Sequence, residues 1–239
     1  MNREFIIVGA GLNFGSMTLA GLEAVKSADV ILYDRLIDKE VLKHADCECV
    51  DVGKIPYSRH CVQQSDINAL ITKYLEKGGK VVRLKGGDSS VFARTIEEVE
   101  TAKAVGANVT VIAGVTSASM LSSRVQSALT DRRNIPGVVF ITGHTKSNEV
   151  DDAYNWEALA KLGFTLVIYM GVRNMGVISG KLIEHGMKGE TPVMIGQEIG
   201  TSNERIMYTT LSQSADFIDK NGVNHPATII IGDIAGNAI

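Results

Sequence analysis

Short apolar runs alternate with stretches of helical period through the first half of the chain, and this alternation constrains the fold most. Residues 4–8 (Glu-Phe-Ile-Ile-Val) read as a buried strand ending in glycines, and 29–33 (Asp-Val-Ile-Leu-Tyr) as a second. Lys80–Leu84 and Asn108–Ile112 are further strands. Helical spacing falls between them. It runs over 16–27, with Ser16 or Thr18 as cap, over 65–77, with Ser65 as N-cap and Ile67, Leu70, Ile71 and Tyr74 inward, and over Thr95–Ala104. Strands separated by helices predict parallel pairing through crossovers. Near Ala113-Gly114-Val115 the pattern changes. A helix follows from about Ser117, then a loop over Asp131–Gly137, then apolar runs at 138–142, 165–169, 192–196 and 227–232 with helical stretches at 156–161, 173–185 and 211–219. Arg205–Thr210 alternates like an antiparallel strand. The expectation is an α/β protein of two lobes with mostly parallel sheets, residues 1–113 and 114–239.

With 239 residues, 45% of them hydrophobic, such a chain can bury full cores. The net charge of −3 gives no support for nucleic-acid binding. Cys47, Cys49 and Cys61 have no C-x-x-C spacing and read as reduced thiols rather than metal ligands. The start of the chain carries no signal-peptide pattern, and no apolar run has the length of a membrane span, so a cytoplasmic protein without a membrane partner is expected.

Gly9-Ala10-Gly11-Leu12-Asn13-Phe14-Gly15 follows a strand and precedes a helix, and Asp34 lies about 20 residues further on. Two readings stand. A nicotinamide-dependent oxidoreductase would use the glycines for a pyrophosphate and Asp34 for a ribose, although the spacing is G-x-G-x-x-x-G. Alternatively the glycines only make a tight turn.

Two other runs point elsewhere. Tyr33-Asp34-Arg35-Leu36 follows the second strand, and Val82-Arg83-Leu84-Lys85-Gly86-Gly87-Asp88 precedes Val91, Phe92, Arg94, Glu97 and Glu98. With Val52-Gly53-Lys54, His60, Gly114-Val115-Thr116-Ser117, Thr142-Gly143-His144 and Ile168-Tyr169-Met170-Gly171-Val172-Arg173-Asn174, the chain resembles the uroporphyrinogen-III C-methyltransferases. These are tetrapyrrole methylases that use S-adenosylmethionine (SAM).

The resemblance implies SAM in a cleft between the lobes, held by Gly9, Gly11, Leu12, Gly86, Gly87, Asp88, Val91, Thr116, Ser117, Met170 and Gly200. It implies Asp34 as proton acceptor, Lys54 as proton donor and Arg94 as a third catalytic group. It also implies a homodimer that makes precorrin-2, the branch point to sirohaem and cobalamin. A substrate with eight carboxylates asks for bidentate guanidinium groups. Arg94, Arg35 and Arg132 are the candidates, with Arg173 behind them, and Glu97 and Met170 complete the substrate set. Glu98 reads as a first-turn residue favoured by the helix dipole.

The chain departs from the family pattern in three places. Leu12-Asn13-Phe14 stands where the family has Pro-Gly-Asp. Ser89-Ser90 and Thr95-Ile96 replace Pro-Phe and Gly-Gly. Asp131 replaces a histidine, adding a negative charge where a polyanion would bind. A non-catalytic or altered-substrate relative that binds SAM or a tetrapyrrole is therefore a further reading.

Overall fold

A computed structural model describes residues 2–53, 63–144, 150 and 152–236. The chain divides into two units, Met1–Ser117 and Ala118–Ile239.

The first unit runs β1 (Arg3–Gly9), α1 (Leu19–Lys26), β2 (Val30–Tyr33), β3 (Glu48–Asp51), α2 (Gln64–Glu76), β4 (Gly79–Lys85), α3 (Thr95–Ala104) and β5 (Asn108–Ile112). Its sheet has the order β3-β2-β4-β1-β5 with every pairing parallel. Alternate residues of each strand enter opposite cores. Phe5, Ile7, Leu32 and Val81 pack with Ile67, Ile71 and Leu75 of α2 and Ala102 of α3. Val8, Ile31, Val82 and Leu84 pack with Ala24 and Val25 of α1. Each such side chain, fully buried, contributes about 1.5–3 kcal/mol, which is why these strands read as apolar runs rather than alternating ones.

Local capping fixes the helix starts. Thr18 Oγ1 accepts from Gly21 N–H at 3.1 Å, and a short 3-10 turn over Phe14–Ser16 precedes α1 where a continuous helix was expected from 16. The start of α2 differs from expectation. Its N-cap is Gln63, whose N–H donates to the Asp66 carboxylate at 2.8 Å, so Ser65 lies inside the first turn.

The second unit holds β6 (Val138–Thr142), α5 (Trp156–Lys161), β7 (Thr165–Tyr169), α6 (Met175–Glu184), β8 (Pro192–Gln197), β9 (Arg205–Thr210), α7 (Ser214–Lys220) and β10 (Ala227–Ile231), after α4 (Ser117–Arg124) at the unit border. Its sheet order is β6-β7-β10-β8-β9. Here β6 and β7 are parallel, whereas β10 is antiparallel to both β7 and β8, and β9 is antiparallel to β8. Over the two sheets five of the eight pairings are parallel, but the second sheet is mixed. The 198–204 connection is too short for a crossover and imposes the antiparallel hairpin of β8 and β9. Leu166, Ile168, Val193, Ile195, Ile229 and Ile231 face one core, while Val167, Met194 and Ile230 are buried on the other side. Among the described residues no helix is long and apolar enough to cross a membrane.

Candidate active site

The loops that leave β1, β4 and β5 meet at the carboxyl edge of the first sheet, the edge at which open parallel sheets bind ligands. Gly11 and Gly87 exchange backbone hydrogen bonds of 3.1 and 2.8 Å, and both have left-handed φ, +67° and +74°. A side chain on Gly9 would strike Gly114 N at 2.6 Å, so the first and third loops touch backbone to backbone. A Cβ on Gly87 would meet only Leu12 Cδ2, at 3.9 Å. Bare backbone therefore faces open space beside an apolar side chain and forms a glycine cradle.

Asp88 ties this edge together. One carboxylate oxygen accepts from Gly114 N–H at 2.8 Å, and the other accepts from Ser90 N–H at 2.7 Å and from the Ser90 hydroxyl. Burial opposes ionisation, but these hydrogen bonds outweigh it and hold the carboxyl below the ordinary aspartate range. The sequence expectation that Asp88 contacts the cofactor is thus joined by an internal role.

The departures from the family pattern are hydrogen-bonded or stacked in place. The buried Ser89 donates to Ile112 C=O at 3.0 Å, and Thr95 donates to Ser89 C=O. Ser16 Oγ accepts from Leu12 and Asn13 N–H at 2.9 and 3.1 Å. Phe14 N–H donates to Asp38 at 2.9 Å, and its ring stacks on His44 at 4.6 Å. The loop that lacks proline is fixed by other means.

Next to the cradle lies Asp34, whose N–H donates to Leu84 C=O at 3.1 Å, while Leu36 packs on Gly86. Its Oδ1 accepts from Arg83 Nη2 at 2.5 Å. Arg83 follows Val81 by two positions, so it shares the buried face covered by α2 and α3 and is 1% exposed. Its Nε donates to Glu98 at 3.2 Å and its Nη1 to Leu32 and Leu84 C=O at 3.3 and 3.1 Å. Glu98 also accepts from Lys85 at 2.8 Å and Gln64 at 3.3 Å. Burial, with the Arg83 charge, pulls the Lys85 amine below its usual value, and Glu98 and Asp34 offset part of that.

Glu98 lies in the first turn of α3, as expected, and is also a wholly buried counter-ion for two cations, because the crossover of α3 lays it on β4. Sequence reasoning passed over Arg83 and Lys85. Their signal was present as two cations at alternate positions at the end of a strand whose preceding residues, Val81 and Val82, are apolar.

Arg94 lies at the start of α3 with left-handed φ of 54°, as does Phe92 at 51°, a conformation costing of order 1–3 kcal/mol at each. Its guanidinium forms a bidentate pair with Glu97, at 2.9 and 2.6 Å, on the surface. Val91 N–H donates to Asp88 C=O at 3.4 Å, and Arg35 is exposed. Thr116 and Ser117 stand where the first unit ends and α4 begins. Lys54 and His60 lie outside the described residues.

In the second unit, His144 follows β6, Met170 and Arg173 follow β7, and His225 precedes β10. The pairing of these strands brings all four to one end of the sheet. Met170 is 41% exposed with φ of 55°. Burial, then the charges of Arg173 and His144, push the His225 imidazole down from its usual value. Gly200, at φ +90°, donates to Glu204 at 2.8 Å. Arg132 borders an open depression of about 920 Å³ with Gln126, Thr130, Asp131 and Arg133. The unfavourable charge expected at Asp131 is compensated, because Arg133 pairs with both its carboxylate oxygens and draws its pKa to about 2.

A sheet edge of glycine loops, an anchored aspartate and a second mixed sheet define a two-unit α/β methylase architecture. Residues 4–215 match the pattern of the tetrapyrrole (corrin/porphyrin) methylases, and the chain belongs to that family. It is 40% identical over 237 residues to siroheme synthase of Escherichia coli, covering 98% of this chain and 50% of that protein. The chain thus spans about half the length of the curated relatives it matches. Among solved structures it superposes on uroporphyrin III C-methyl transferase from Thermus thermophilus with a TM-score of 0.82 and 32% identity, covering 98% and 99% of the two chains. The Thermus enzyme complexed with S-adenosyl homocysteine matches with a TM-score of 0.81, 32% identity, and coverage of 97% and 92%.

Proposed function

We propose that this chain transfers methyl groups from SAM to ring carbons of uroporphyrinogen III, giving precorrin-2. The observation that carries the reading is the juxtaposition, at one sheet edge, of the glycine cradle around Gly87 with Asp34, one oxygen of which Arg83 anchors. SAM supplies a methyl group on a sulfonium, which a nucleophilic carbon displaces in line. Gly9, Gly11, Leu12, Gly86, Gly87, Val91, Thr116, Ser117, Met170 and Gly200 hold the cofactor, and Asp88 shapes the loops that do so. Aligning donor and acceptor supplies much of the rate.

The pyrrole nitrogen pushes electron density to the β-carbon, and Asp34 takes the proton released after methylation. Lys54 serves as proton donor. Arg94, Arg35 and Arg132 bind substrate carboxylates, Glu97 orients Arg94, and Met170 lies against the flat ring. The protein works as a homodimer in the cytoplasm.

Two features favour this over the other readings. The nicotinamide reading leaves the Gly86-Gly87-Asp88 and Met170 runs unused. A non-catalytic relative has no need of an Asp34 carboxylate anchored through one oxygen beside those loops. Methylation of another tetrapyrrole, as in precorrin methyltransferases, is the nearest competitor.

The test is an anaerobic assay of SAM with uroporphyrinogen III, read by product mass, beside Asp34→Asn. Gain of two methyl groups, with a rate lowered about 10²–10⁴-fold in the variant, is the expected result. A wild type that binds SAM but leaves this substrate unchanged refutes the substrate assignment. Light scattering at assay concentration checks the dimer.

A further inference from the structure

We infer that Arg83, itself held by Glu98, is the positioning residue that aims the Asp34 carboxylate at the substrate. The inference rests on the methyltransferase reading above and extends it beneath the site.

Asp34 is the point where a buried charge network reaches the surface. Its side chain is 31% exposed, whereas those of Arg83, Glu98 and Lys85 are 2%, 0% and 4% exposed. Only Oδ1 of Asp34 is bonded to Arg83, and among the described residues Oδ2 makes no hydrogen bond. A carboxylate anchored by one oxygen keeps the other for a proton and cannot swing through its rotamers. The anchor is rigid in turn. Every nitrogen of the Arg83 guanidinium has an acceptor: Nη2 on Asp34, Nε on Glu98, and Nη1 on two carbonyls of β2 and β4.

Glu98 fixes the plane of that fork. Lys85 and Gln64 hold both oxygens of Glu98, so the carboxylate is kept facing Arg83. The network also balances two cations against two anions, which is how buried charges are tolerated. An arginine used only for stability in this core would not need to emerge at a ligand-facing edge, since its other partners already satisfy Nε and Nη1. Placing a base within a fraction of an ångström is what turns proximity into rate.

The experiment is a double-mutant cycle between Arg83→Met and Asp34→Asn, with turnover of uroporphyrinogen III, KM for that substrate and SAM affinity by calorimetry all measured. Arg83→Met leaves the buried Glu98 paired with Lys85, and the carboxylate it releases, Asp34, is in reach of solvent. Arg83→Lys retains the cation but not the fork, and serves as the second variant. Expected is a fall in kcat of at least tenfold in each, with KM and SAM affinity within about threefold of wild type. In the Asp34→Asn background the same Arg83 changes should alter kcat less than about threefold, because the group they position is already gone.

Unchanged kcat in a folded Arg83 variant overturns the inference, as do equal losses in both backgrounds. Failure of both Arg83 variants to fold assigns the residue to the scaffold and overturns it too. A wild type that binds SAM but transfers no methyl group defeats the methyltransferase reading and this role with it. An active wild type with an additive cycle defeats the positioning role alone.

Discussion

The Asp88 carboxylate accepts a 2.8 Å hydrogen bond from the N–H of Gly114, fastening the loop after β4 to the segment after β5. The same residue closes its own turn through Ser90. One side chain therefore sets the spacing of loops that together make the glycine cradle, and its removal should be felt in cofactor binding as well as in stability.

Asp88→Ala is expected to weaken SAM binding and lower stability by about 1.5–3 kcal/mol, the worth of hydrogen bonds to a charged group. Asp88→Asn, which keeps an acceptor for Gly114, should recover part of the loss. Calorimetry with SAM and denaturant unfolding measure both. The folded-state pKa of Asp88 lies below its ordinary value of 3.8, so its contribution is present above that value and is lost as pH falls through the lower, folded one.

Glu98→Gln removes the buried counter-ion of both Arg83 and Lys85. Stability should fall by about 3–5 kcal/mol, as it does when one member of a buried pair is deleted. Urea unfolding of wild type and variant decides this. A change below about 1 kcal/mol would mean that water reaches the network.

Arg94→Lys keeps a charge but cannot make the bidentate pair with Glu97 or with a carboxylate. The exposed Arg94–Glu97 pair is worth about 0–1 kcal/mol, so the melting temperature should hardly move. Turnover of the carboxylate-rich substrate should drop while SAM affinity is retained. Equal turnover in the two proteins would make Arg94 an ordinary surface residue.

His225 has a folded-state pKa below its usual 6.5, through burial first and then Arg173 and His144. The unfolded chain therefore binds its proton at higher pH than the folded one does. The contribution is present above about pH 6.5 and is lost as pH falls through the folded value. Melting curves between pH 7.5 and 5 should show a decline that His225→Gln flattens. A decline of the same slope in the variant would place the acid sensitivity elsewhere.

Local sequence determined the elements. Asn108–Ile112, Thr95–Ala104, Val138–Thr142 and Thr165–Tyr169 form over the residues that the sequence pattern predicts, and Thr165–Tyr169 reads as an apolar run because both of its faces are covered. The short motifs also located the family, because glycines and acids at strand ends act through the backbone next to them.

Strand partners and charge partners were decided only in three dimensions. Nothing local makes β10 run antiparallel between β7 and β8, since that pairing joins segments far apart in the chain. Glu98 was legible as a helix-start residue because its neighbours in sequence are those of a helix start. Its neighbours in space are Arg83 and Lys85, which enter the same face only when α3 crosses over β4. Asp34 was legible as a candidate base from Tyr33-Asp34-Arg35-Leu36, but the buried guanidinium that holds it comes from a strand paired with its own. Period and turn chemistry are written in consecutive residues, whereas the desolvation that forces a charge to find its counter-charge exists only once the sheet and its helices have closed around it.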